Sequence, residues 1–304
     1  MNKPFLTIDE QIRLLNSCGV ITDATTGLIL LSEGYYSVVN GYKTPFLDAE
    51  ASAAANDDRY LSGTHFNDIY TLFLFDRELR EITFHYLTKV ETLLKTTCAY
   101  RFSEAHQSRN AYLDVRNYAT EDEYIVDEGN YQDDLQRLLS MLRAKAMDRH
   151  NKHEYVVHYR DQIGHVPLWV LSNDLSFGNV EHFFDLMKPD EQKSVCRDIV
   201  TLTKHLGDRR IGYFHPRRAR LCIETMVKFR NLCAHDERLY CARLGQHHNI
   251  DYVELIARMF PFLTPSDYEE FIANLTALLN RYAMKSDAMR HVVHEMGVVD
   301  IEHK

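Results

Sequence analysis

HFNDIYTLFLFDRELREITFHYLTKVETLLKTTCAYRFS, residues 65–103, is the stretch that decides the fold. Apolar side chains recur three or four positions apart along it, at Leu79, Ile82, Tyr86, Val90 and Leu93. That spacing is the period of an amphipathic helix. No proline lies between 46 and 166, and no glycine between 64 and 128, so no helix breaker interrupts the pattern. The segment predicts one long helix and an all-α fold.

The same spacing predicts helices on both sides of this segment. Thr7 and Glu10 form a capping box that opens the first helix. Periodicity places the further helices at about 23–33, 131–148, 167–187, 190–205, 216–235, 250–260, 266–283 and 286–296.

Two segments do not show the helical pattern. GYYSVVNGYKTPF, residues 34–46, is aromatic and punctuated by glycine, which indicates a short extended or turn segment. Residues 104–130 are polar, acidic and rich in tyrosine, which indicates a loop. We therefore expect an N-terminal helical appendage at 1–63 and a helical domain at 64–304 with a polar loop at about 104–130.

The composition is that of an ordinary globular protein, with 304 residues, 45% hydrophobic and 26% charged. No run approaches the ~18 apolar residues of a membrane span, and the N-terminus has no signal-peptide core. The six cysteines form no CxxC pair, which favours reduced, buried thiols over a disulfide frame or a zinc site. We expect a cytoplasmic protein without a membrane segment.

Positive charge is concentrated in one part of an acidic chain. The net charge of −9 argues against non-specific coating of nucleic acid. Between 209 and 243, however, nine Lys or Arg face three acids, at 209, 210, 217, 218, 220, 228, 230, 238 and 243 against 224, 236 and 237. Such a stretch is either a binding surface for a polyanion or a solvated helix face.

Several chemistries have no motif in this chain. There is no glycine-rich phosphate loop, no GxSxG nucleophile elbow and no EF-hand pattern. His150, His153, His158 and His165 cluster, but 153 and 158 are five apart, whereas four would place two imidazoles on one helix face. We expect no metal and no cofactor.

FRNLCAHDER, residues 229–238, places an arginine where the helix beginning at Pro216 should have a core residue. Continuing the apolar stripe of that helix reaches Arg230, and a buried guanidinium needs an anion or a cleft. His235 can move a proton near neutral pH, and Arg230 can hold the charge that develops on a phosphorane. The pair thus suits metal-free RNA cleavage, and a structural arginine with a helix-capping histidine is the alternative.

The spacing of this pair constrains the site. Residues five apart in an unbroken helix lie about 140° apart around its axis. The helix should therefore end near Ala234, or the site should combine Arg230 of one chain with His235 of another.

RNLCAH resembles the R-x4-H signature of HEPN ribonucleases, and five segments in order resemble the Abi_2 family of abortive-infection proteins of bacterial phage defence. These segments are KPFLTIDEQIRLLNSCGVI, GYYSVVNGYKTPF, HFNDIYTLFLFDRELREITFHYLTKVETLLK, PLWVLSNDLSFGNVEHFFDLM and FRNLCAHDERLYCAR. The resemblance implies a HEPN-like helical bundle and a metal-independent endoribonuclease of an abortive-infection or toxin–antitoxin system. It also implies a homodimer and, as partner, a small non-coding RNA antitoxin.

The resemblance assigns roles to individual residues. It implies that Arg230 and His235 are catalytic and that Asn231 positions them. Further residues expected to serve the site are the RNA contacts Arg238, Arg243, Arg217, Arg218 and Arg220 and the supporting pair Glu91 and Lys95. The Glu91–Lys95 pair has a surface i, i+4 ion pair as its alternative.

Two departures from the family pattern, at Asp236 and Arg243, qualify this interpretation. Asp236 follows the histidine where a neutral residue or a histidine is usual in the family, and its charge is expected to weaken RNA approach or raise the pKa of His235. Arg243 matches the family pattern loosely. Trp169 and the SFG turn at 176–178 fit the family and are expected to be packing elements.

A non-catalytic RNA- or protein-binding module is the main rival function, and a purely structural interaction protein is another.

Overall fold

The computed structural model describes residues 4–126, 129–148, 153–203, 214–245 and 249–296. Within these ranges the chain is helical and contains no strand, only three isolated β-bridges. The all-α prediction is confirmed. The helices are α1 Ile8–Ser17, α2 Thr26–Glu33, α3 Ala49–Ala55, α4 Phe66–Ala105, α5 Tyr131–Met147, α6 Glu154–His158, α7 Leu168–Leu171, α8 Phe177–Leu186, α9 Pro189–Thr203, α10 Pro216–Ala234, α11 Tyr252–Met259, α12 Pro265–Ala283 and α13 Asp287–Glu295.

The chain forms two compact units. The first contains residues 1–82, 235–253 and 272–304, and the second contains residues 83–234 and 254–271. This division differs from the expected boundary between 63 and 64. None of the helices in the described ranges is long and apolar enough to cross a membrane.

The core of the first unit forms around the beginning of α4. Ile69, Leu72 and Leu79 are completely or almost completely buried there. At the N-terminus, the Thr7 hydroxyl accepts a hydrogen bond from the Glu10 N–H, and Glu10 accepts one from the Thr7 N–H in return. The predicted capping box is therefore confirmed.

Residues 34–46 are helical, so the prediction of an extended or turn segment is wrong. They form a π-helix at Tyr36–Asn40 and a 3₁₀ helix at Thr44–Phe46. Val38, Val39, Tyr42 and Phe46 are buried. Their spacing of three to four is helical, and burying them on one side outweighs the glycines that suggested a turn.

The second unit packs α10 against α8 and α9, and α5 against α8. The predicted helix at 167–187 is interrupted, which corrects the prediction of a single element. The Ser176 hydroxyl accepts the Asn179 N–H, and Asn179 Oδ1 accepts the Ser176 N–H. This reciprocal cap begins a new helix, α8, after the short α7 and a 3₁₀ turn at Ser172–Asp174.

Residues 104–126 lack a long helix but are more ordered than the predicted polar loop. They contain three 3₁₀ turns, Ala111–Leu113, Val115–Asn117 and Glu121–Glu123. Tyr112 and Tyr118 are buried, and the Tyr118 hydroxyl donates to the Tyr112 carbonyl at 2.7 Å. Tyr112 and Tyr118, which the sequence predicted to lie in a loop, are thus core residues.

The expectations for Trp169 and Cys241 were wrong. Trp169 is 58% exposed, so it is not a packing element. Phe177 of the SFG turn, by contrast, is fully buried, as expected for a packing element. Cys241 is exposed, whereas the other five cysteines are buried as expected.

Candidate functional site

Arg230 lies in the last turn of α10, on the face that is otherwise apolar. Met226, Phe229 and Cys233 beside it are buried, and the Arg230 side chain is 26% exposed. Its guanidinium lies over the ring of Phe84, 5.8 Å from the ring centre. The aliphatic stem thus completes the apolar stripe, and the charged end reaches the edge of the core.

The anion that Arg230 meets is Glu91 of α4. Arg230 Nε lies 3.4 Å from Glu91 Oε2, and Lys95 Nζ lies 2.8 Å from Glu91 Oε1. Glu91 is 7% exposed, so the pair at 91 and 95 is not a surface ion pair. One buried carboxylate is shared by two cations within the second unit.

The ion pair between Arg230 and Glu91 is loose. Arg230 Nε is buried and within ion-pair distance of Glu91, yet it makes no hydrogen bond there. The charges are close enough to attract each other, but without an aligned hydrogen bond the guanidinium is not rigidly fixed. Arg230 Nη1 donates only a long bond, 3.4 Å, to Asn231 Oδ1. The guanidinium is therefore held by charge, and its Nη groups retain capacity to bind an anion.

The α10 helix ends at Ala234, the position at which the spacing argument required it to end. Asp236 has φ +55°, a left-handed conformation that reverses the chain after the helix. His235 is exposed, and its imidazole has no hydrogen-bond partner among the residues that the structure describes. Arg230 belongs to the second unit and His235 to the first.

Asp76, in the first unit, anchors the chain that follows His235. Its carboxylate is fully buried and accepts hydrogen bonds from the Tyr42 hydroxyl at 2.7 Å, Arg80 Nη1 at 2.7 Å and the Tyr240 N–H at 2.7 Å. The Leu239 N–H donates to it at 3.1 Å. Burial raises the pKa of Asp76, and these donors act in the opposite direction. The carboxylate fixes the backbone four residues after His235.

Arg80 extends this anchor to the residue beside His235. Its Nη2 lies 3.3 Å from Asp236 Oδ1, and its Nη1 lies 3.5 Å from the Glu237 carbonyl oxygen. The extra acid at position 236 is thus partly offset by Arg80. Sequence reasoning missed Asp76 and Arg80, although two charges four apart in an apolar stretch of helix were a visible signal.

This anchor predicts a large stability difference between two acid-to-amide substitutions. Asp76→Asn should lower the free energy of unfolding by about 3–5 kcal/mol, because it removes the buried counter-charge of Arg80 and leaves it only Asp236, which is 88% exposed. Glu33→Gln is the matched control, since Glu33 pairs with the half-exposed Arg77 at 2.7 Å and should cost at most about 1 kcal/mol. Urea unfolding of both variants measures this. Equal midpoints would show that the Asp76 cluster contributes nothing special.

The predicted RNA contacts after the helix are both exposed. Arg238 donates from Nη1 to the Gly41 carbonyl at 3.1 Å and lines a cleft of about 440 Å³ in the first unit with Tyr36, Asn40 and Arg77. Arg243 donates from Nη1 to the carbonyl of its neighbour Ala242.

The predicted contacts at the start of α10 divide into two kinds. Arg217 and Arg218 are exposed in the first turn. Arg220 is 15% exposed and lies 3.8 Å from Asp185 and 3.7 Å from Glu224. The Arg220 guanidinium therefore faces two acids in a partly buried cluster. Of the three predicted contacts at the start of α10, only Arg217 and Arg218 remain as surface residues that can bind RNA. Arg209 and Arg210 lie outside the described residues.

Burial is the main cause of the raised pKa values of the acids near Arg220. It raises the pKa of Asp185 to about 8, with Arg220 acting to lower it. Burial, together with the charge of Glu224, raises the pKa of Glu181 to about 7. A substantial fraction of both acids is therefore protonated near neutral pH. Asp185 Oδ1 and Arg220 Nε are buried at the contact between α8 and α10 and make no hydrogen bond among the described residues.

The structure forms no group of three or more His, Cys, Asp or Glu placed to hold a metal ion within the described ranges. In the histidine-rich segment, His153 Nε2 lies 3.2 Å from Asp174 Oδ1. His150 lies outside the described residues.

These features define a class of protein, an all-α chain with a basic helix that carries an arginine near its end and is followed by an exposed histidine. The family model of Abi-like proteins, Abi_2, matches residues 28–241, which is more than half of the chain. The chain therefore belongs to the Abi-like family, which associates it with abortive infection. No curated protein and no solved structure matches it.

Proposed function

We propose that this Abi-like protein is a metal-independent endoribonuclease that acts on RNA in the cytoplasm during abortive infection. The observation that carries the proposal is the end of α10. Arg230 is held by Glu91 at the edge of the core, and the helix stops at Ala234, so His235 is exposed on irregular chain. An arginine and a histidine at this spacing suit a HEPN-type R-x4-H site.

The proposed reaction is attack by the 2′-hydroxyl of RNA on the adjacent phosphorus. A bond forms between the 2′-oxygen and phosphorus, and the bond from phosphorus to the 5′-oxygen breaks. The 2′-hydroxyl loses a proton and the leaving 5′-oxygen gains one, and His235 performs one of these transfers. Arg230 stabilises the charge on the phosphorane. The nucleophile belongs to the substrate, so no metal-bound water is needed.

Glu91 and Lys95 act as positioning residues in this proposal. Glu91 is buried between the two cations and orients the Arg230 side chain without touching the substrate. Because the guanidinium makes few aligned hydrogen bonds to protein, it can turn its Nη groups to a phosphate. Asn231, at the other end of the long bond from Arg230 Nη1, supports the same orientation.

We further propose that the chain acts as a homodimer and that a small non-coding RNA neutralises it as an antitoxin. Support comes from family membership together with the site architecture, since HEPN sites generally lie at a two-fold interface. An interface of this kind should include α10 and bury more than ~1,000 Å².

A non-catalytic RNA-binding module is the second candidate function. It is favoured by the exposed arginines at the start of α10, which do not depend on His235. Incubating the purified protein with total RNA in EDTA separates the two functions. The nuclease fragments the RNA, and the binding module leaves it intact while retaining it.

Arg217 and Arg218 should contribute to RNA affinity under either function. Cations in the first turn of a helix are unfavourable next to the positive end of the helix dipole, so a bound phosphate would stabilise them. Replacing both with alanine should weaken binding of single-stranded RNA and reduce the slope of log affinity against log salt by about 1–2. Fluorescence anisotropy at several salt concentrations measures both quantities.

The matched control replaces two exposed arginines outside α10, Arg116 and Arg137, whose side chains are 84% and 77% exposed. This control should bind as the wild type does. If both double variants lose affinity equally, general charge explains the binding and α10 has no special role.

A further inference from the structure

The only tryptophan of the chain is placed on the surface by a short, well-packed helix. In α7, Leu168, Val170 and Leu171 are buried, whereas Trp169 is 58% exposed. The three buried neighbours fix the backbone, so the indole is presented by a rigid support. Large exposed aromatic side chains on rigid elements are typical of binding sites.

A second exposed aromatic side chain shares a cleft with Trp169. Tyr100 of α4 is 56% exposed, and a cleft of about 560 Å³ in the second unit is lined by both residues. Lys95 and Asn173 contribute polar groups to the same cleft. Its volume lies within the range of pockets that hold small organic groups.

The cleft is connected to Arg230 through α4. Lys95 lines the cleft and bonds Glu91, which in turn contacts Arg230. Glu91 and Tyr100 lie nine positions apart, about 13–14 Å along the helix axis and about 180° around it. Lys95, which lines the cleft and bonds Glu91, is therefore the residue that links the cleft to the proposed site.

Unpaired polar atoms lie on the other side of Trp169. A smaller cleft of about 170 Å³ there is also lined by Trp169, together with Asn110 and His165. Asn110 Oδ1 and His165 Nδ1 are buried and have no hydrogen-bond partner within the described part of the chain. Protein covers these two atoms, so this cleft adds polar surroundings to Trp169 and no contact on which the stacking argument depends.

We propose that Trp169 and Tyr100 form a stacking platform for unpaired bases of a single-stranded RNA. Stacking on aromatic side chains requires bases that are not paired, so a duplex would not fit this site. Two cations, Lys95 and Arg109, line the two clefts against one acid, Glu104, which is itself paired with Arg101. This charge balance is compatible with the phosphates of RNA and disfavours a basic partner. The inference rests on the proposed function in one respect, that RNA is the substrate.

Tryptophan fluorescence tests the platform directly, because Trp169 is the single tryptophan. The full chain with His235→Ala is titrated with a single-stranded oligoribonucleotide, so the RNA stays intact. Saturable quenching is expected with this RNA and little change with a duplex of the same sequence. Tyr100→Ala, and separately Trp169→Ala, should weaken binding of labelled RNA by about 5- to 150-fold, the range for one stacked base.

Phe5→Ala is the matched control, because Phe5 is 88% exposed and lines neither these two clefts nor the cleft beside Arg238. It should retain wild-type affinity. RNA binding that leaves the fluorescence and the Trp169→Ala affinity unchanged would overturn the platform. Fluorescence that follows protein concentration instead of RNA would also overturn it and assign the surface to a second copy of the chain. Quenching by RNA with an inactive wild type would reject the nuclease and keep the platform.

Discussion

His235→Ala is expected to lower the rate of RNA cleavage by about 10²–10⁴-fold, the usual contribution of a residue that transfers a proton. The fold should be unaffected, because His235 is exposed just beyond the end of α10. RNA affinity should also be retained, since the expected phosphate contacts lie elsewhere. Single-turnover cleavage of a labelled RNA, with anisotropy for binding, measures both.

A second histidine provides the control for this prediction. His294→Ala changes an exposed histidine near the C-terminal end of α13 and should leave cleavage unchanged. In cells, growth arrest caused by the wild type should disappear with His235→Ala and persist with His294→Ala. Cleavage that continues at the wild-type rate in His235→Ala would remove the histidine from the mechanism.

Substitutions at Arg230 should have an effect of similar size on cleavage. Arg230→Ala is expected to lower kcat by about 10²–10³-fold, as for the loss of one donor that stabilises a transition state. It should also lower stability, because the stem packs in the apolar stripe and the buried Glu91 loses one of its cations. Arg230→Lys keeps the charge but not the bidentate donor geometry. Compared with Arg230→Ala, it should therefore recover more of the stability than of the activity.

Glu91 should affect the reaction through Arg230. Glu91→Gln is expected to lower kcat while leaving KM nearly unchanged, and Glu91→Asp should recover part of the activity. Glu78→Gln is the control on the same helix, since Glu78 pairs with the exposed Arg281. If Glu91→Gln and Glu78→Gln change kcat and KM in the same way, Glu91 has only a structural role.

The dimeric form of the site can be tested by mixing these variants. In a composite site, Arg230 of one chain works with His235 of the other. Co-expression of Arg230→Ala with His235→Ala should then restore cleavage, because one intact pair forms in the heterodimer. Mixed dimers that form but remain inactive would place both residues of each site on one chain.

Helix positions were largely predictable from the sequence, because an apolar period of three to four survives wherever one helix face is buried. Both ends of α4, α5 and α10, and the beginning of α9, fall within about three residues of the predictions. The predicted end of α9, at about 205, reaches residues outside the described ranges. The failures have local causes, since the Ser176 cap divides one predicted helix and buried Val38 and Val39 make 34–46 helical.

The sequence predicted which residue of α10 would need an anion but not which anion would meet it. Arg230 interrupts an apolar stripe, and that alone indicates a partner or a cleft. Glu91 is more than 130 positions away, and its contact depends on tertiary packing. The exposed position of Trp169 and the partial burial of Arg220 also depend on neighbours distant in the chain, so residue type and period could not predict them.

The chemical ends of the cleavage products test the central claim most directly. A defined single-stranded RNA is incubated with the wild-type protein in EDTA, and the same RNA with a 2′-deoxy sugar at the cleaved position serves as control. We predict a 5′-hydroxyl on one product, a 2′,3′-cyclic phosphate or 3′-phosphate on the other, and no cleavage of the 2′-deoxy control. Cleavage that requires Mg²⁺, or that leaves a 5′-phosphate, would contradict the proposed mechanism.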